Sequence, residues 1–278
     1  MPIAEIARAT PRWPTDRVTG SPMFAPLAKF AGLLPGERWP RVEQLSELAA
    51  RRAITVRSGE PLRFVAQDAS AGLAYEARVF AHGEVQTRAE NWHDLFNALV
   101  WLAFPGIKAA LNARHHDELQ ACAGDGPGNR GPIRDALTLF DESGVIIACA
   151  NPGLARLLRE FRWKELFWAR RAETIAGMRF FVFGHALYEK ALAPYPGMTG
   201  HAVMLDFDHC FMQLAMTAQR AVLDARLGDY FSSGALDKRA FLPLPVLGVP
   251  GWADENAHET YYDNGACFRP GRRTRSGF

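Results

Sequence analysis

The sequence has few cysteines, and no two of them form a Cys-x-x-Cys pair. Cys122, Cys149, Cys210 and Cys267 are spread along the chain, and the closest two, at positions 122 and 149, are 27 residues apart. This spacing argues against a zinc ribbon, a thioredoxin-type redox site and a disulfide framework. Cys149 and Cys210 lie in apolar stretches, so we predict that both are buried free thiols.

Lysine is also scarce, because 27 of the 32 basic residues are arginine. The formal net charge is only +2, so no excess of either sign indicates a polyanionic partner. Arg170, Arg171 and the arginines of the last ten residues are the positions that nucleic acid would use. Such pairs and tails are typical of a solvated surface, and we do not expect nucleic acid as a partner.

No apolar run is long enough to cross a membrane. The longest, at residues 95–104, is interrupted by Asn97 and is about half the length of a span of about 20 residues. The first residues lack a basic region followed by an apolar stretch, so no secretory signal is predicted. We therefore expect a cytoplasmic protein without a membrane span, and the oligomeric state stays open.

The composition present, 48% hydrophobic and 22% charged residues in a chain of 278, is typical of a globular protein. We expect a flexible lead-in at residues 1–20, a single globular domain at 21–268 and a disordered basic tail at 269–278. The predicted fold class is α+β, mostly helical, with a small antiparallel sheet.

Residue patterns give a coarse secondary structure. Strands are predicted at residues 54–56, 62–66, 75–81, 136–140, 145–150 and 201–207. Helices are predicted at residues 40–52, 91–104, 107–119, 152–161, 163–178, 180–192 and 209–227. Residues 141–144 are predicted to join two of the strands as a hairpin. The proline-rich residues 242–252 are expected to be irregular and to pack over the body of the domain.

Residues 92–104 are the most informative segment. Their apolar side chains point in every direction around a helix, which indicates that the helix is buried. His93, Asp94 and Asn97 are three and four positions apart, so they share one patch at its first turn. Such a patch can transfer protons or form half of a metal site. The alternative is structural, with Asp94 closing a cap at Asn91 and the other two side chains making core hydrogen bonds.

A second polar pair lies in an apolar helical pattern. His185 and Glu189 are four positions apart on one face, and Gly184 before them allows another backbone to approach closely. The pair can bind a metal, or the carboxylate can orient the imidazole. A buried pair that ties two helices together is the structural alternative.

Further candidates are less specific. His115 follows the first patch by one helix, and its distance from that patch depends on how the two helices pack. Asp141 and Glu142 lie in the predicted hairpin, where turn chemistry alone explains them. Asp208, after a predicted strand, is expected to cap the next helix.

Four stretches of this sequence resemble a known family. They are residues 91–105 (NWHDLFNALVWLAFP), 135–144 (DALTLFDESG), 183–190 (FGHALYEK), and 242–252 (LPLPVLGVPGW) with Phe268-Arg-Pro270. The chain is similar, from about Pro22 to Pro270, to the proteobacterial domain-of-unknown-function 3025 family. The resemblance implies one full-length domain, a bacterial source and a cytoplasmic location. It implies no particular activity.

Two functional interpretations follow. In the first, the chain is an enzyme whose catalytic candidates are His93, Asp94, Asn97, His185 and Glu189. His93, His185 and Asp141 are the candidate metal ligands, and His115 could complete the pocket. Histidines and carboxylates without cysteine suit a hydrolytic site that holds a divalent metal ion. The same groups could also work as a metal-free acid–base set.

In the second interpretation the protein is a non-catalytic binding module. The proline-rich segment could form a groove for a small molecule or a protein partner together with Trp163, Trp168 and Trp252. The buried histidine and aspartate pairs would then be structural.

Overall fold

The computed structural model describes residue 18 and residues 20–36, 38–68, 72–121, 131–233 and 241–271. These residues form a mostly helical α+β fold with two small sheets, which confirms the predicted fold class. Buried apolar side chains from Val18 to Phe268 make one continuous core. Most of the expected lead-in, and the expected tail beyond residue 271, lie outside the described residues.

The α-helices range from 5 to 18 residues, and those at residues 92–103 and 105–121 are separated only by Phe104. In chain order, the α-helices of the described residues are α1 (Ala25–Ala31), α2 (Val42–Arg51), α3 (Tyr75–His82), α4 (Trp92–Ala103), α5 (Pro105–Ala121), α6 (Pro132–Ser143), α7 (Pro152–Arg159), α8 (Arg171–Gly177), α9 (His185–Ala191), α10 (His209–Gln213) and α11 (Met216–Ser233).

The strands form a pair and a four-stranded sheet. They are β1 (Arg63–Ala66), β2 (Glu84–Thr87), β3 (Gly144–Cys149), β4 (Met178–Val182), β5 (Thr199–Asp206) and β6 (Leu242–Pro245). β1 pairs with β2 in parallel. The larger sheet has the order β4-β3-β5-β6 and is mixed, because β3 runs parallel to β5 but antiparallel to β4. Every residue of β3 is buried, so this strand lies at the centre of the core.

The segment predicted as a strand at residues 75–81 is helix α3. Tyr75, Val79 and Phe80 favour strands, which explains the error. In the structure only Val79 is buried, and a single buried residue fits a helix whose other faces are exposed. The helix ends at Gly83, whose left-handed backbone (φ 65°) lets its N–H bond to the carbonyl of Val79.

The predicted hairpin at residues 136–150 is also wrong. Its first half belongs to α6, which starts with Pro132 at its first turn and buries Ala136, Leu137 and Phe140 at helical spacing. Asp141 and Glu142 therefore lie in the last turn of a helix rather than in a β-turn. Only the second half forms the predicted strand, β3.

The helix predicted at residues 180–192 is two elements. Its first part is β4, which pairs with β3, and the helix α9 begins only at His185. Gly184 separates them. A Cβ atom there would lie 2.5 Å from the carbonyl oxygen of Glu142, so this close approach of α9 to the end of α6 requires glycine.

Several smaller predictions have mixed outcomes. The proline-rich segment begins with β6, which pairs with β5 at the edge of the sheet, where proline's missing N–H is tolerated. Residues 54–56 make only an isolated bridge at Thr55. The long helices predicted at residues 163–178 and 209–227 are each broken. Cys149 is buried as expected, whereas Cys210 is exposed.

The predicted helix caps are confirmed. Asn91 accepts a hydrogen bond from the backbone of Asp94, and Asp208 accepts one from the backbone of Phe211. No single helix among the described residues has the length and apolar character to span a bilayer, and α4 and α5 meet that test only as a pair bent by 112°.

Candidate active site

A polar cavity of about 360 Å³ lies where five helices meet. Its walls come from α3, α4, α5, α6 and α9, together with residues beside β1 and β2. The lining residues are Gln67, Tyr75, Glu76, Gln86, Arg88, His93, Asp94, Asn97, His115, Thr138, Asp141, Glu142 and His185. Six side chains that the sequence analysis nominated are therefore in one place: His93, Asp94, Asn97, His115, Asp141 and His185.

His93 and His185 are in direct contact inside this cavity. The Nε2 atoms of the two rings are 3.0 Å apart, although the residues are 92 positions apart in the chain. The ring planes are inclined by 80°, with centroids 4.4 Å apart. His185 is buried and His93 is partly exposed, so the pair reaches from the core to the cavity. The first turn of α4 and the first residue of α9 bring them together.

A carboxylate lies beside the outer nitrogen of each ring. The Oε2 atom of Glu189 is 3.0 Å from Nδ1 of His93. For Glu189 the sequence left open metal binding, orientation of His185 and a structural pair, and in the structure its carboxylate contacts the histidine of α4. The Oδ2 atom of Asp141 is 3.7 Å from Nδ1 of His185, which is too long for a hydrogen bond. That nitrogen is buried and has no hydrogen-bond partner among the described residues.

Asp141 is held by a buried lysine. Nζ of Lys108 is 2.6 Å and 2.9 Å from its two carboxylate oxygens, and the lysine side chain is only 5% exposed. The ammonium also lies 5.4 Å from the centroid of the Trp101 ring. Burial alone would raise the pKa of Asp141, but the charge of Lys108 lowers it. Asp141 is therefore held as a carboxylate.

The adjacent carboxylate, Glu142, lies near both rings. One oxygen of Glu142 and one ring nitrogen each of His93 and His185 all lie within 4.8 Å of one another. The sequence analysis proposed Asp141 as the third candidate ligand. In the structure both oxygens of Asp141 bind Lys108, so Glu142 is better placed for that role.

The carboxylate of Asp94 is bound by Arg88. Its carboxylate accepts three hydrogen bonds from Arg88: one from the backbone N–H at 2.7 Å, and two from the guanidinium at 2.8 Å and 2.9 Å. Burial would raise the pKa of Asp94, but these hydrogen bonds outweigh it and lower the pKa. The predicted cap at Asn91 is present too, so Asp94 organises the rim of the cavity.

Asn97 offers an unsatisfied group to the cavity. Its Nδ2 atom is 2.9 Å from the hydroxyl of Tyr75, while its buried Oδ1 atom has no partner among the described residues. A buried amide oxygen without a partner is costly, so a bound molecule that donates a hydrogen bond there would be favoured.

Glu76 is a cavity residue that the sequence analysis missed. Asn112 donates hydrogen bonds to its Oε2 atom at 2.7 Å and to its backbone carbonyl at 2.9 Å. Burial, followed by the nearby charge of Asp141, raises the pKa of Glu76 to about 7. Burial has the opposite effect on the imidazoles, and it lowers the pKa of His115 and of His185 to about 4.

The residues expected to form one groove for a binding module do not line a single cavity. Trp163 lines a second cavity of about 550 Å³ with Phe161, Pro243 and Pro245, whereas Trp252 lines a separate one. Both arginines proposed for nucleic acid have internal partners. Arg170 pairs with Glu173, and Arg171 donates to the carbonyl and side-chain oxygens of Asn256.

The fold and the cavity together define a mostly helical α+β protein with a histidine–carboxylate centre. The chain belongs to the family described as "protein of unknown function (DUF3025)", whose family model matches residues 62–272. This range contains every residue that lines the polar cavity. No curated protein and no solved structure matches the chain.

Proposed function

We propose that the protein is a hydrolytic enzyme and that the polar cavity is its active site. The observation that carries this proposal is the contact between His93 and His185, in which a carboxylate stands behind each imidazole. An imidazole oriented by a carboxylate can transfer protons, and where it also binds a metal ion it can help to activate water. The bacterial, cytoplasmic setting expected from the sequence belongs to the same proposal.

The ionisable groups of the cavity are suited to acid–base chemistry. A carboxyl group with a pKa of about 7 can both give and take a proton near neutral pH, which makes Glu76 the candidate general acid–base residue. His115, with its pKa of about 4, stays neutral under the same conditions. Local environments that shift neighbouring pKa values in opposite directions, as for Glu76 and His115 here, are typical of catalytic sites.

The remaining lining residues suggest a small polar substrate. A volume of about 360 Å³ is near the lower end for small-molecule sites. Tyr75, Gln86, Asn97 and Thr138 offer neutral hydrogen-bonding groups. Arg88 is bound to Asp94, so the polar contacts to substrate would come mainly from these uncharged side chains.

The test compares Glu76→Gln with wild type on three chromogenic substrates. They are p-nitrophenyl acetate and p-nitrophenyl phosphate, which release p-nitrophenol, and alanine p-nitroanilide, which releases p-nitroaniline. We expect wild type to hydrolyse at least one of them and the variant to lose about 10²–10⁴-fold in kcat. Glu160→Gln, on the exposed end of α7, should match wild type. Absence of hydrolysis, or equal rates for the Glu76 variant, would contradict the proposal.

A binding module is the second candidate, and the cavity of about 550 Å³ is the observation that favours it. Phe161, Trp163, Pro243 and Pro245 give that cavity an aromatic and proline-rich wall. Binding there should change the fluorescence of Trp163, and Trp163→Phe should remove that change. The binding module would be favoured over the enzyme if a ligand binds at this cavity while wild type and the variants of the polar cavity all lack hydrolytic activity.

A further inference from the structure

The contact between the two histidines poses a problem of proton placement. A neutral imidazole carries one N–H, and the bare nitrogen is an acceptor. The carboxylate of Glu189 accepts hydrogen bonds, so Nδ1 of His93, 3.0 Å away, must carry the proton of that ring. The Nε2 atom of His93 is then a bare acceptor that faces Nε2 of His185 at 3.0 Å.

Neither tautomer of His185 satisfies this arrangement. With the proton on Nε2, the ring donates to His93, but its buried Nδ1 becomes a lone pair without a partner, 3.7 Å from the carboxylate of Asp141. With the proton on Nδ1, that atom faces the carboxylate favourably, but two bare Nε2 atoms then face each other. One repulsive contact between acceptors remains in either case.

A proton or a metal cation between the two Nε2 atoms removes the conflict, and the nearby carboxylate of Glu142, a third potential ligand, favours the metal cation. Both Nδ1 atoms can then carry their protons towards Glu189 and Asp141, and both Nε2 lone pairs point at the cation. We propose that the cavity holds a divalent transition-metal ion of the Zn²⁺ type, bound by Nε2 of His93, Nε2 of His185 and the carboxylate of Glu142. This deepens the hydrolytic function proposed above, but the binding of the ion does not depend on it.

The distances fit this ligand set. With metal–nitrogen bonds of about 2.0–2.1 Å, two ligand nitrogens lie roughly 2.9–3.4 Å apart for angles between a right angle and the tetrahedral value. The observed 3.0 Å falls in that range. The centroid separation of 4.4 Å is shorter than it would be if the two nitrogens pointed straight at each other, so the two rings meet at an angle rather than end to end.

The donor chemistry indicates which ions are preferred. Imidazole suits zinc, iron, nickel and copper, whereas Mg²⁺ and Ca²⁺ prefer all-oxygen sites. Two histidines and one carboxylate leave positions for water and substrate, as in catalytic rather than structural sites. An ion there supplies Lewis acidity and a water of lowered pKa, and the outer carboxylates fix the direction of each imidazole.

The experiment uses the full chain, stripped with a chelator and titrated with Zn²⁺ alone by calorimetry. We expect one equivalent to bind, and Mg²⁺ to bind far more weakly. His93→Gln and Glu142→Gln should each weaken Zn²⁺ binding by more than the roughly 10–100-fold that loss of an outer-shell partner costs. Glu189→Gln should weaken Zn²⁺ binding by about 10–100-fold, because Glu189 is an outer-shell partner. X-ray absorption of the Zn²⁺ complex should show two imidazole ligands and no sulfur.

His258→Gln is the matched control, because His258 is exposed and does not line the cavity. It should bind Zn²⁺ as wild type does, and thermal melting of every variant without metal reports whether it is folded. Failure of wild type to bind one equivalent, or unchanged binding by folded His93 and Glu142 variants, would overturn the inference. Hydrolysis by a wild type that binds no Zn²⁺ would overturn the inference while leaving the proposed function intact, and Zn²⁺ binding without hydrolysis would do the reverse.

Discussion

Replacing Glu76 with glutamine should change how stability depends on pH. The native pKa of this carboxyl group is about 7, compared with 4.5 for an unperturbed glutamate, because the group is buried and lies near Asp141. The native state therefore holds a proton that the unfolded state releases between these two pH values. Stability falls with rising pH wherever the native state binds more protons, so this group opposes folding increasingly from pH 4.5 to 7.

The size of the effect follows from the shift. A difference of 2.5 pH units corresponds to about 3 kcal/mol at about 1.4 kcal/mol per unit. Glutamine keeps the shape and the oxygen that accepts from Asn112, but it does not titrate. Relative to the variant, wild type should lose about 3 kcal/mol of unfolding free energy between pH 4.5 and pH 8.

Denaturant unfolding of both proteins at a series of pH values, with a chelator present, measures this difference. The two stability curves should run together below pH 4.5, separate through pH 7 and stay parallel above it. A difference that does not change with pH would show that Glu76 titrates normally, and the argument for it as a proton donor near neutral pH would fail. A difference of the opposite sign would refute the burial argument itself.

Three further predictions concern the same region. His115→Gln should show the reverse trend, because wild type loses about 3 kcal/mol relative to the variant as pH falls from 6.5 to 4. Lys108→Met should cost about 3–5 kcal/mol by leaving Asp141 buried without its partner. Gly184→Ala should cost about 1–3 kcal/mol by pushing α9 away from Glu142, and it should also weaken Zn²⁺ binding.

Each of these three predictions has a control variant or a result that would contradict it. Unfolding titrations measure all three, and a pH-independent effect of the His115 change would contradict the first. The double variant Lys108→Met, Asp141→Leu should recover most of the lost stability, because it removes both charges. Gly131→Ala is the match for Gly184, since a Cβ atom there meets nothing within 4 Å. Equal stability and equal Zn²⁺ binding of the two alanine variants would contradict the third.

The centre of the candidate site could be predicted because it interrupts a strong pattern. Helix α4 is apolar all round, so His93 and Asn97 stand out as polar groups that must find partners or a cavity. His185 stands out in the same way after β4. What sequence alone could not give is the pairing between helices, so the contact of Glu189 with His93 was not predicted.

Glu76 was missed, and Glu142 was explained by turn chemistry alone, for a different reason. Both lie in helices whose β-favouring residues suggested strands, and Glu142 was accordingly read as a turn residue. The helical signals were present: Pro132 at the first turn of α6, and Gly83 directly after α3. They were outweighed because short helices on a large core take their stability from packing, which local propensity does not record.

The 92-residue separation of His93 and His185 also has a consequence for folding kinetics. Closing a contact across so long a loop costs conformational entropy before the contact stabilises the chain, so we expect this pair to close late. Interactions that are absent from the folding transition state slow unfolding without speeding folding. A ligand held between these helices would therefore prolong the lifetime of the native state, while the rate at which the chain folds would stay nearly unchanged.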